Sequence, residues 1–576
     1  MGDTAACETT AYLILNLLQG EVMNQLSRRL LGAAMAFGTA ALAACDSGTG
    51  SSDDLFAPTG LAVTAASSTS ATITFNSVPG ATGYEIQRAS GTGTTFTTLT
   101  TVAGSPYTDT GLDAAATYNY RVAAVRGGEK SDYTAGQAVT LLDRPVVTIS
   151  TDITSNRRFD SDSVYVLGAF VHVANGATLT IEEGTRIEGL PNSALFILRG
   201  ARIIAIGTAA KPIVFTSNRP AGQRQPGDWG GLIIVGNGII NRADPILVEG
   251  TNTGGTNYAV TYSGGSNNAD DSGELRYVRV EFAGFGPAPD QELNSFTFAA
   301  VGSGTRLSYL QSMAGLDDSY EFFGGAVDGN HFVSYESGDD HFDMSEGFQG
   351  RLQFLVAYQD TIIPPRNGAG NTSTDPQGIE NDGCNGTNCL AGFDSQPYTV
   401  PLIANFTLVG LRNTPVSVPA AGGRGMVLRR GTAGYYVNGI IARWPVAMSI
   451  RDAATNNHIT AGDLQVKNIL SVENATLFEA GAERYSVDAA ANGIESSAAT
   501  TGSLFAALPA PTAAHTAGSF DWAPAAGSPA ATGGLAAFTG ALATKAGTAV
   551  AGTAYRGAAD PAGAKWWQGW TVYYRN

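Results

Sequence analysis

The sequence predicts an all-β chain in which a small β-sandwich precedes a long parallel β-solenoid. Asp317-Asp318 and Asp339-Asp340 are 22 residues apart, and Glu321 and Asp343 keep the same spacing. A register of this size, held across a turn and the strands beside it, is typical of one solenoid coil. The chain also has 72 glycines and only 14% charged residues, which favours short strands joined by tight turns.

Length and charge limit the organisation and the partners of the chain. At 576 residues it exceeds one ordinary hydrophobic core, so several domains or a repeat architecture are expected. The net charge of −17 argues against a nucleic-acid partner, because phosphate binding requires clustered Lys and Arg. Two explanations of the acidic character stay open, namely solubility outside the cell and cation binding.

An export signal is predicted near the N-terminus. Arg28 and Arg29 precede the apolar run Leu30–Ala41, which is too short to span a bilayer. The run ends in Leu-Ala-Ala-Cys45, which resembles a bacterial lipobox. This resemblance implies that Cys45 is lipid-modified and becomes the N-terminus of the mature chain.

The same resemblance predicts the cellular location. It implies an exported protein that a lipid anchors to the bacterial envelope, at the outer membrane or the cell surface. Asp46 follows the cysteine, and in some bacteria this residue retains a lipoprotein at the inner membrane, so the final membrane stays open. We assign residues 1–45 to the signal peptide, with Met23 as an alternative start, and residues 46–56 to a flexible Gly/Ser/Asp linker.

Residues 57–142 contain alternating strands that predict the β-sandwich. The alternation is clearest in 71–75, 83–88 and 118–125, and Gly, Pro and Asp occupy the turns. The segment resembles a fibronectin type III domain, and the matching residues are Pro58, Gly60, Leu61, Tyr84, Leu112, Tyr118, Tyr120 and Val122. Phe75 replaces the usual Trp of that family. The resemblance implies a spacer module.

Residues 145–576 continue as short apolar strands that end at glycine. Because strand residues alternate faces, the repeat predicts columns of side chains on successive coils. We predict an inward column of Leu310, Phe332 and Phe354, a small inward column of Ser312, Ser334 and Val356, and an outward column of Tyr309, His331 and Gln353.

The same region resembles the right-handed parallel β-helix of a broad group of bacterial surface lipoproteins. The shared motifs are Gly227–Asn237, Tyr320–Gly325, Gly338–Asp343 and Gly569–Thr571. This resemblance implies a fold and not an activity, because the scaffold hosts many functions.

The right-handed β-helix is also the scaffold of pectin and alginate lyases and of polygalacturonase-type hydrolases. These enzymes place carboxylates on the solenoid face, and by that similarity Asp339, Asp340 and His341 are catalytic candidates. The Gly-His-Gly and Arg-Ile-Lys motifs of the hydrolases are absent from the sequence.

The repeat stacks carboxylates on neighbouring coils about 4.8 Å apart. The residues of this acidic column are Asp317, Asp318, Glu321, Asp339, Asp340 and Asp343. Carboxylates this close repel one another unless something compensates, and calcium takes six to eight oxygen ligands. Calcium is therefore the candidate cofactor. Two alternatives stay open: the acids cap turns, or a pair of them acts in acid–base catalysis.

Two further features lie outside the regular repeat. Residues 361–400 read as a long loop, in which Cys384 and Cys389 predict a disulfide outside the cytoplasm. Trp566, Trp567 and Trp570 predict an aromatic cap on the end of the solenoid or a packed flap, and the alternative is a platform on which sugars stack.

Together these features favour a lipid-anchored envelope protein with a binding or structural role. The expected partners are the membrane, through the lipid, and a polysaccharide, a surface layer or an envelope protein. The alternative from a different class is a polysaccharide lyase or glycoside hydrolase on the same scaffold.

Overall fold

The computed structural model describes residues 55–576 except 254–257, 289–290, 385, 412–422, 509–514, 517–519 and 574–576. The predicted signal peptide, Cys45 and most of the predicted linker lie outside the described residues. No helix in the described part of the chain combines the length and apolar character needed to cross a bilayer.

The first eight strands form the predicted β-sandwich. They are β1 (Ala62–Ala65), β2 (Ser70–Thr74), β3 (Gly83–Ser90), β4 (Thr97–Val102), β5 (Tyr107–Thr110), β6 (Thr117–Arg126), β7 (Glu129–Lys130) and β8 (Gln137–Thr140). One sheet has the order β1-β2-β5, and the other has β4-β3-β6-β7 with β8 beside β6. Ile73, Ile86, Tyr120 and Val122 are fully buried, as the alternation of the strands predicts.

The solenoid strands follow in chain order. They are β9 (Val146–Ile149), β10 (Arg157–Phe159), β11 (Val164–Leu167), β12 (Phe170–Val173), β13 (Thr178–Ile181), β14 (Arg186–Gly189), β15 (Ala194–Ile197), β16 (Arg202–Ile206), β17 (Ile213–Ser217), β18 (Leu232–Val235), β19 (Gly273–Glu281), β20 (Phe296–Ala299), β21 (Arg306–Met313), β22 (Tyr320–Phe323), β23 (Asp328–Tyr335), β24 (Phe342–Ser345), β25 (Arg351–Tyr358), β26 (Gln377–Asp382), β27 (Leu402–Val409), β28 (Arg424–Arg429), β29 (Gly434–Val437), β30 (Ile440–Ala442), β31 (Val446–Arg451), β32 (Leu464–Lys467), β33 (Leu470–Val472), β34 (Thr476–Phe478), β35 (Arg484–Tyr485) and β36 (Glu495–Ser497).

Short helices and four more strands complete the described chain. They are α1 (Ala453–Ala461), α2 (Thr501–Leu504), α3 (Gly540–Ala546), β37 (Phe505–Ala507), β38 (His515–Thr516), β39 (Asp521–Pro524), β40 (Val572–Tyr573) and the 3₁₀ turns Gly392–Asp394 and Pro529–Ala531. Helix α1 begins where the Asp452 carboxylate accepts from Thr455 N–H at 2.8 Å, and it ends at Gly462 in the left-handed conformation.

Two long sheets run along the solenoid. One contains 17 strands, and the other has the order β12-β15-β18-β20-β22-β24-β26-β28-β31-β34, with β35 beside β31. The coils pair in parallel, as in Glu321 opposite Asp343 and Leu310 opposite Phe332, both 22 residues apart. Apolar side chains from both sheets fill the continuous interior, which confirms the predicted parallel β-helix.

The predicted columns hold for two coils and then shift by one residue. Leu310 pairs with Phe332 as predicted, but Phe332 pairs with Leu355 and not with Phe354. The reason is a longer turn, because four residues (324–327) connect β22 to β23 and five (346–350) connect β24 to β25. The prediction is therefore wrong for this coil.

The same one-residue shift makes the predictions for the other two columns wrong in this coil. Ser334 pairs with Ala357 in place of the predicted Val356. In the outward column Phe354, and not Gln353, follows Tyr309 and His331, because its ring stacks on His331 at 4.9 Å. Tyr309, His331 and Phe354 all have positive φ, which bends the strands at this position.

The C-terminal segment runs back along the outside of the coils. Leu535 N–H donates to Asn438 at 2.7 Å, and Gln353 donates to the Ala551 carbonyl at 2.7 Å. Val572 N–H donates to Gln311 at 2.9 Å. These contacts hold the segment along the solenoid.

The predicted loop 361–400 contains a strand. Strand β26 pairs with β24 and β28, so the expectation of a continuous loop is corrected. Its sequence, Gln-Gly-Ile-Glu-Asn-Asp, has one apolar residue, Ile379, and so lacks the usual strand pattern. Cys384 and Cys389 form the predicted disulfide directly after this strand.

Candidate cation-binding cleft

Three carboxylates stand side by side on successive coils. Glu321 on β22 lies opposite Asp343 on β24, which lies opposite Glu380 on β26. The side chains at the neighbouring positions Tyr320 and Phe342 are fully buried in the apolar interior. Strand alternation therefore directs the three carboxylates out of the interior, on the same face of the sheet.

The turns before these strands bring further acids to the same place. Asp317 and Asp318 precede β22, and Asp339 and Asp340 precede β24. Together with acids from two other segments they line a cleft of about 400 Å³. The nine carboxylates lining it are Glu249, Glu292, Asp317, Asp318, Glu321, Asp339, Asp340, Asp343 and Glu380.

The cleft contains three overlapping carboxylate triads. Within each triad one oxygen per residue lies within 4.8 Å of the others. The triads are Asp317/Asp318/Asp339, Asp318/Glu321/Asp343 and Asp340/Asp343/Glu380. Asp318 and Asp343 each belong to two triads. The six acids predicted from the sequence are therefore brought together, and each takes part in at least one triad.

Burial and mutual repulsion disfavour the ionised forms of these acids. Burial raises the pKa of Asp317, Asp318, Glu321, Asp340 and Asp343 well above the usual range, and neighbouring carboxylates raise it further. Burial also raises the pKa of Asp339 to about 6 and that of Glu380 to about 7. Without a compensating charge, the folded protein therefore favours protonated carboxyls in this cleft.

Hydrogen bonds separate two kinds of acid in the cleft. Asp318 accepts from Asp340 N–H at 2.8 Å, and Asp340 accepts from Gln377 N–H at 2.5 Å. These two carboxylates cap turns, as one of the open alternatives predicts. Asp343 differs, because its Oδ1 is shielded from solvent and has no hydrogen-bond partner.

Two arginines lie at the edge of the cleft that β26 forms. Arg429 forms ion pairs with Glu380 and with Asp382, the latter at 2.8 Å, and Arg430 forms an ion pair with Asp382. The neighbouring carboxylates outweigh the effect of burial and raise the pKa of Arg429. Arg429 therefore stays protonated and offers no base.

His341, which the sequence analysis gives as a catalytic candidate, and His331 both lie outside the cleft. His341 is fully buried, its Nδ1 contacts Ser334 Oγ at 2.5 Å, and burial lowers its pKa to about 3. The expectation that His341 joins Asp339 and Asp340 in catalysis is therefore corrected, because the ring lies inside the solenoid. His331 stacks between Tyr309 and Phe354, and burial lowers its pKa to about 4.

The C-terminal tryptophans pack on the side of the middle coils, so the predicted cap on the solenoid end is corrected: Trp570 lies edge-on to Tyr277 of β19 and to Tyr309 of β21. Trp567 and Trp570 are 0% and 1% exposed, so they present no free ring face to a sugar, and the platform interpretation is corrected for both. Trp567 Nε1 donates to the Phe520 carbonyl at 2.8 Å. Trp566 is half-buried and meets His331 edge-on.

The comparison with protein families agrees with this architecture. A family model described as a pectate-lyase-like β-helix domain matches residues 151–517, more than half of the chain. The chain belongs to the pectate-lyase-like β-helix family. A fibronectin type III model matches residues 56–137, which confirms the predicted sandwich. The β-helix domain of this family member carries the acidic cleft.

Matches to individual proteins are short. A poly(3-hydroxybutyrate) depolymerase from Ralstonia pickettii is 44% identical over 92 residues, which are 16% of this chain and 16% of that protein. An Fn3-like protein from Clostridium thermocellum is 32% identical and covers 15% of this chain and 93% of its own length, with a TM-score of 0.15. The FN5 domain of Drosophila Lar is 22% identical and covers 16% of this chain and 98% of its own, with a TM-score of 0.14.

Sequence reasoning missed three acids of the cleft. Glu249 and Glu292 lie in irregular segments between strands, outside the 22-residue register. Glu380 lies in β26, which the sequence pattern did not reveal as a strand. A usable signal for Glu380 was present, since Glu380 and Asp382 alternate as strand residues facing one side do.

Proposed function

We propose that the chain is a calcium-dependent glycan-binding protein of the bacterial envelope, with the cations held in the acidic cleft. The observation that carries this proposal is the set of three overlapping triads that share Asp318 and Asp343. Buried carboxylates at this density require protons or cations, and at neutral pH outside the cell a divalent cation is the more effective compensation.

The chemistry of the cleft favours calcium over other metals. All the ligands on offer are oxygens, and Asn371, Thr372 and Ser373 line the same space. Calcium accepts six to eight oxygens in irregular arrangements, whereas magnesium demands a near-ideal octahedron and transition metals favour His or Cys. A shared carboxylate such as Asp343 suits a pair of neighbouring cations, because its two oxygens can bridge them.

A glycan ligand follows from the position of the cleft. The acids line an open depression on the solenoid. A bound calcium therefore keeps coordination positions for outside oxygens, and hydroxyl and carboxylate oxygens of sugars fit them. Membership of the pectate-lyase-like family supports a polysaccharide as the ligand class.

A second candidate function is polysaccharide cleavage by the same cleft. Family membership favours it, and so do Asp339 and Glu380, whose pKa values of about 6 and about 7 suit proton transfer near neutral pH. A lyase also requires a base beside the cation. Arg429 stays protonated in its ion pairs, and His341 lies inside the solenoid, so binding is the better-supported function.

The proposed envelope location rests on the sequence Leu-Ala-Ala-Cys45, which resembles a lipobox, and we propose Cys45 as the lipid-modified residue. Labelling cells with a fatty-acid analogue should mark the wild-type chain and leave Cys45→Ala unlabelled. Labelling of both chains equally would reject this anchor.

Thermal unfolding with calcium and with excess chelator tests the cation site. A ligand that binds the folded state stabilises it by about 2.7 kcal/mol at 100 times its Kd, so calcium should raise the unfolding temperature by several degrees. Magnesium at the same concentration should give a smaller rise. Equal unfolding temperatures in calcium and chelator would leave turn capping as the role of the acids.

A further inference from the structure

A second cavity, of about 620 Å³, lies at the start of the same sheet and has a different chemistry. It is lined by glycine, alanine and proline together with Phe170, His172, Asn192, Tyr258 and Phe285. Among the residues that the structure describes, no Asp, Glu, Lys or Arg lines this cavity. Its volume is in the range of small-molecule sites.

The cavity has an exposed aromatic ring over a fixed histidine. The Tyr258 ring lies 3.8 Å from the His172 ring between centroids and is 46% exposed, although large aromatic side chains are mostly buried. His172 also stacks on Phe196, with the ring centroids 4.9 Å apart. Tyr258 therefore offers one ring face to a ligand.

The histidine also presents an unpaired acceptor. His172 is 2% exposed, and its Nδ1 lies 2.9 Å from Asp152 Oδ1. Because Asp152 is an acceptor, Nδ1 carries the proton and Nε2 accepts. Nε2 is buried without a hydrogen-bond partner, on a residue that lines the cavity. A buried polar atom of this kind is a strong sign of a missing partner.

A third cavity lies between this cavity and the acidic cleft, and we call the three together the groove. The third cavity shares Pro287 with the aromatic cavity and Asn371 with the acidic cleft. Both ends lie beside the N-terminal ends of strands of one sheet, and four inter-strand steps separate β15 from β24. At the usual spacing this is about 19 Å, so a ligand that reaches both ends must be a chain and not a single small molecule.

We propose that the cavity at Tyr258 and His172 is a subsite for an uncharged sugar residue, at the far end of the groove from the cations. The ring of Tyr258 stacks on the apolar face of the sugar, and a sugar hydroxyl donates to His172 Nε2. This inference deepens the proposed function, on which it rests for taking a glycan as the ligand. It divides the groove into a calcium-independent aromatic end and a calcium-dependent acidic end.

The test uses uncharged six-unit gluco-, galacto- and manno-oligosaccharides as probes. Binding to the full chain is followed by saturation-transfer NMR and titration calorimetry, in calcium and in chelator. At least one probe should bind in both conditions. Tyr258→Ala should weaken that binding at least tenfold, whereas Tyr258→Phe keeps the ring and should stay within about threefold.

Two controls separate this inference from the proposed function. Phe393→Ala removes a ring that is 43% exposed and outside the groove, and it should leave binding unchanged. Asp160→Asn removes one negative charge outside the groove, where Asp160 pairs with Arg158, and it should leave the binding of the probe unchanged in calcium and in chelator. If no probe binds, or if Tyr258→Ala binds as the wild type does, the subsite is rejected. If calcium still stabilises the chain in that case, the proposed cation site is kept although the subsite is rejected. If probe binding depends on Tyr258 but calcium has no effect on stability, the subsite is kept and the cation site is rejected.

Discussion

Glu321 and Asp343 lie directly opposite each other on neighbouring parallel strands, 22 residues apart in the chain. Adjacent strands are about 4.8 Å apart, so two ionised carboxylates in this position repel strongly. Both side chains also belong to one triad with Asp318. Ionised carboxylates in this cleft therefore repel one another in the folded chain, and a bound cation would relieve that repulsion.

The effect of Asp343→Asn on the free energy of unfolding should have opposite signs in chelator and in calcium. In chelator the variant should be more stable than the wild type by about 1 kcal/mol or more, because one repelling charge is gone. In calcium it should be less stable, because a ligand shared by two triads is lost. Chemical denaturation in both conditions measures the difference.

Asp160→Asn is the matched control for net charge. Asp160 is half-exposed and pairs with Arg158 outside the cleft, so its loss should change stability by less than about 1 kcal/mol in either condition. A wild-type-like calcium response in Asp343→Asn would contradict the proposed ligand set.

The chelated protein should lose stability as the pH rises. Burial raises the folded-state pKa of Asp339 to about 6 and of Glu380 to about 7, above the ordinary values of 3.8 and 4.5. Between these values the folded state therefore binds more protons than the unfolded state. The stability that comes from this difference is fully present below about pH 4 and is lost as the pH rises through 6 and 7. Denaturation in chelator at pH 5 and pH 8 measures the loss.

Calcium should counteract the loss of stability at high pH, because cations replace protons on the carboxylates more easily as the pH rises. The stabilisation by calcium should thus be larger at pH 8 than at pH 5. Glu380→Gln removes one titrating group and should flatten the pH dependence in chelator. A chelated protein that is more stable at pH 8 than at pH 5 would argue against buried acids in the cleft.

Glu479 should be important for the stability of the last coils. Its carboxylate contacts Arg424 at 2.7 Å, Arg484 at 2.8 Å and Arg451 at 3.3 Å. Burial opposes ionisation, but hydrogen bonds from Arg424 and Ser449 outweigh it and lower the pKa of Glu479 to about 2. This stabilisation is present above about pH 4.5 and is lost as the pH falls towards 2.

Glu479→Gln should therefore cost about 2–4 kcal/mol at pH 7, because three guanidinium groups lose their common partner. Glu129→Gln is the comparison, since Glu129 pairs with Arg126 at 3.0 Å but is 66% exposed, and it should cost less than about 1 kcal/mol. Similar losses in the two variants would show that burial of the Glu479 cluster contributes little.

The C-terminal tryptophans should act through stability and not through ligand binding. Trp567→Ala removes a fully buried ring and should cost about 3–5 kcal/mol, whereas Trp566→Ala removes a half-buried ring and should cost less. Unfolding in denaturant ranks the two. Loss of glycan binding in a folded Trp566 or Trp567 variant would restore the platform interpretation.

The fold and the centre of the cleft could be predicted because both repeat. Asp317-Asp318 and Asp339-Asp340 recur with the coil period, so one-dimensional spacing reports three-dimensional stacking. The column prediction was wrong at Phe354, where one extra residue in a turn shifts the register. Nothing in the local alternation of β25 records the length of the preceding turn.

The remaining parts of the groove come from segments that do not repeat. Tyr258 reaches His172 from 86 residues further along the chain, and Arg429 reaches Glu380 from 49 residues away. Such contacts depend on how connections cross the solenoid, which no short-range pattern encodes. Neighbours in sequence can also be separated in space. His341 follows Asp340 directly, and the two side chains therefore lie on opposite faces of the sheet.

Titration calorimetry of calcium into the metal-stripped full chain tests the central claim most directly. The three triads predict saturable binding of more than one calcium ion per chain, and Asp343→Asn should reduce the number bound because Asp343 belongs to two triads. Asp160→Asn should leave the stoichiometry unchanged. No saturable calcium binding by the wild type, or the same stoichiometry in Asp343→Asn, would contradict the assignment of the cleft as a cation site.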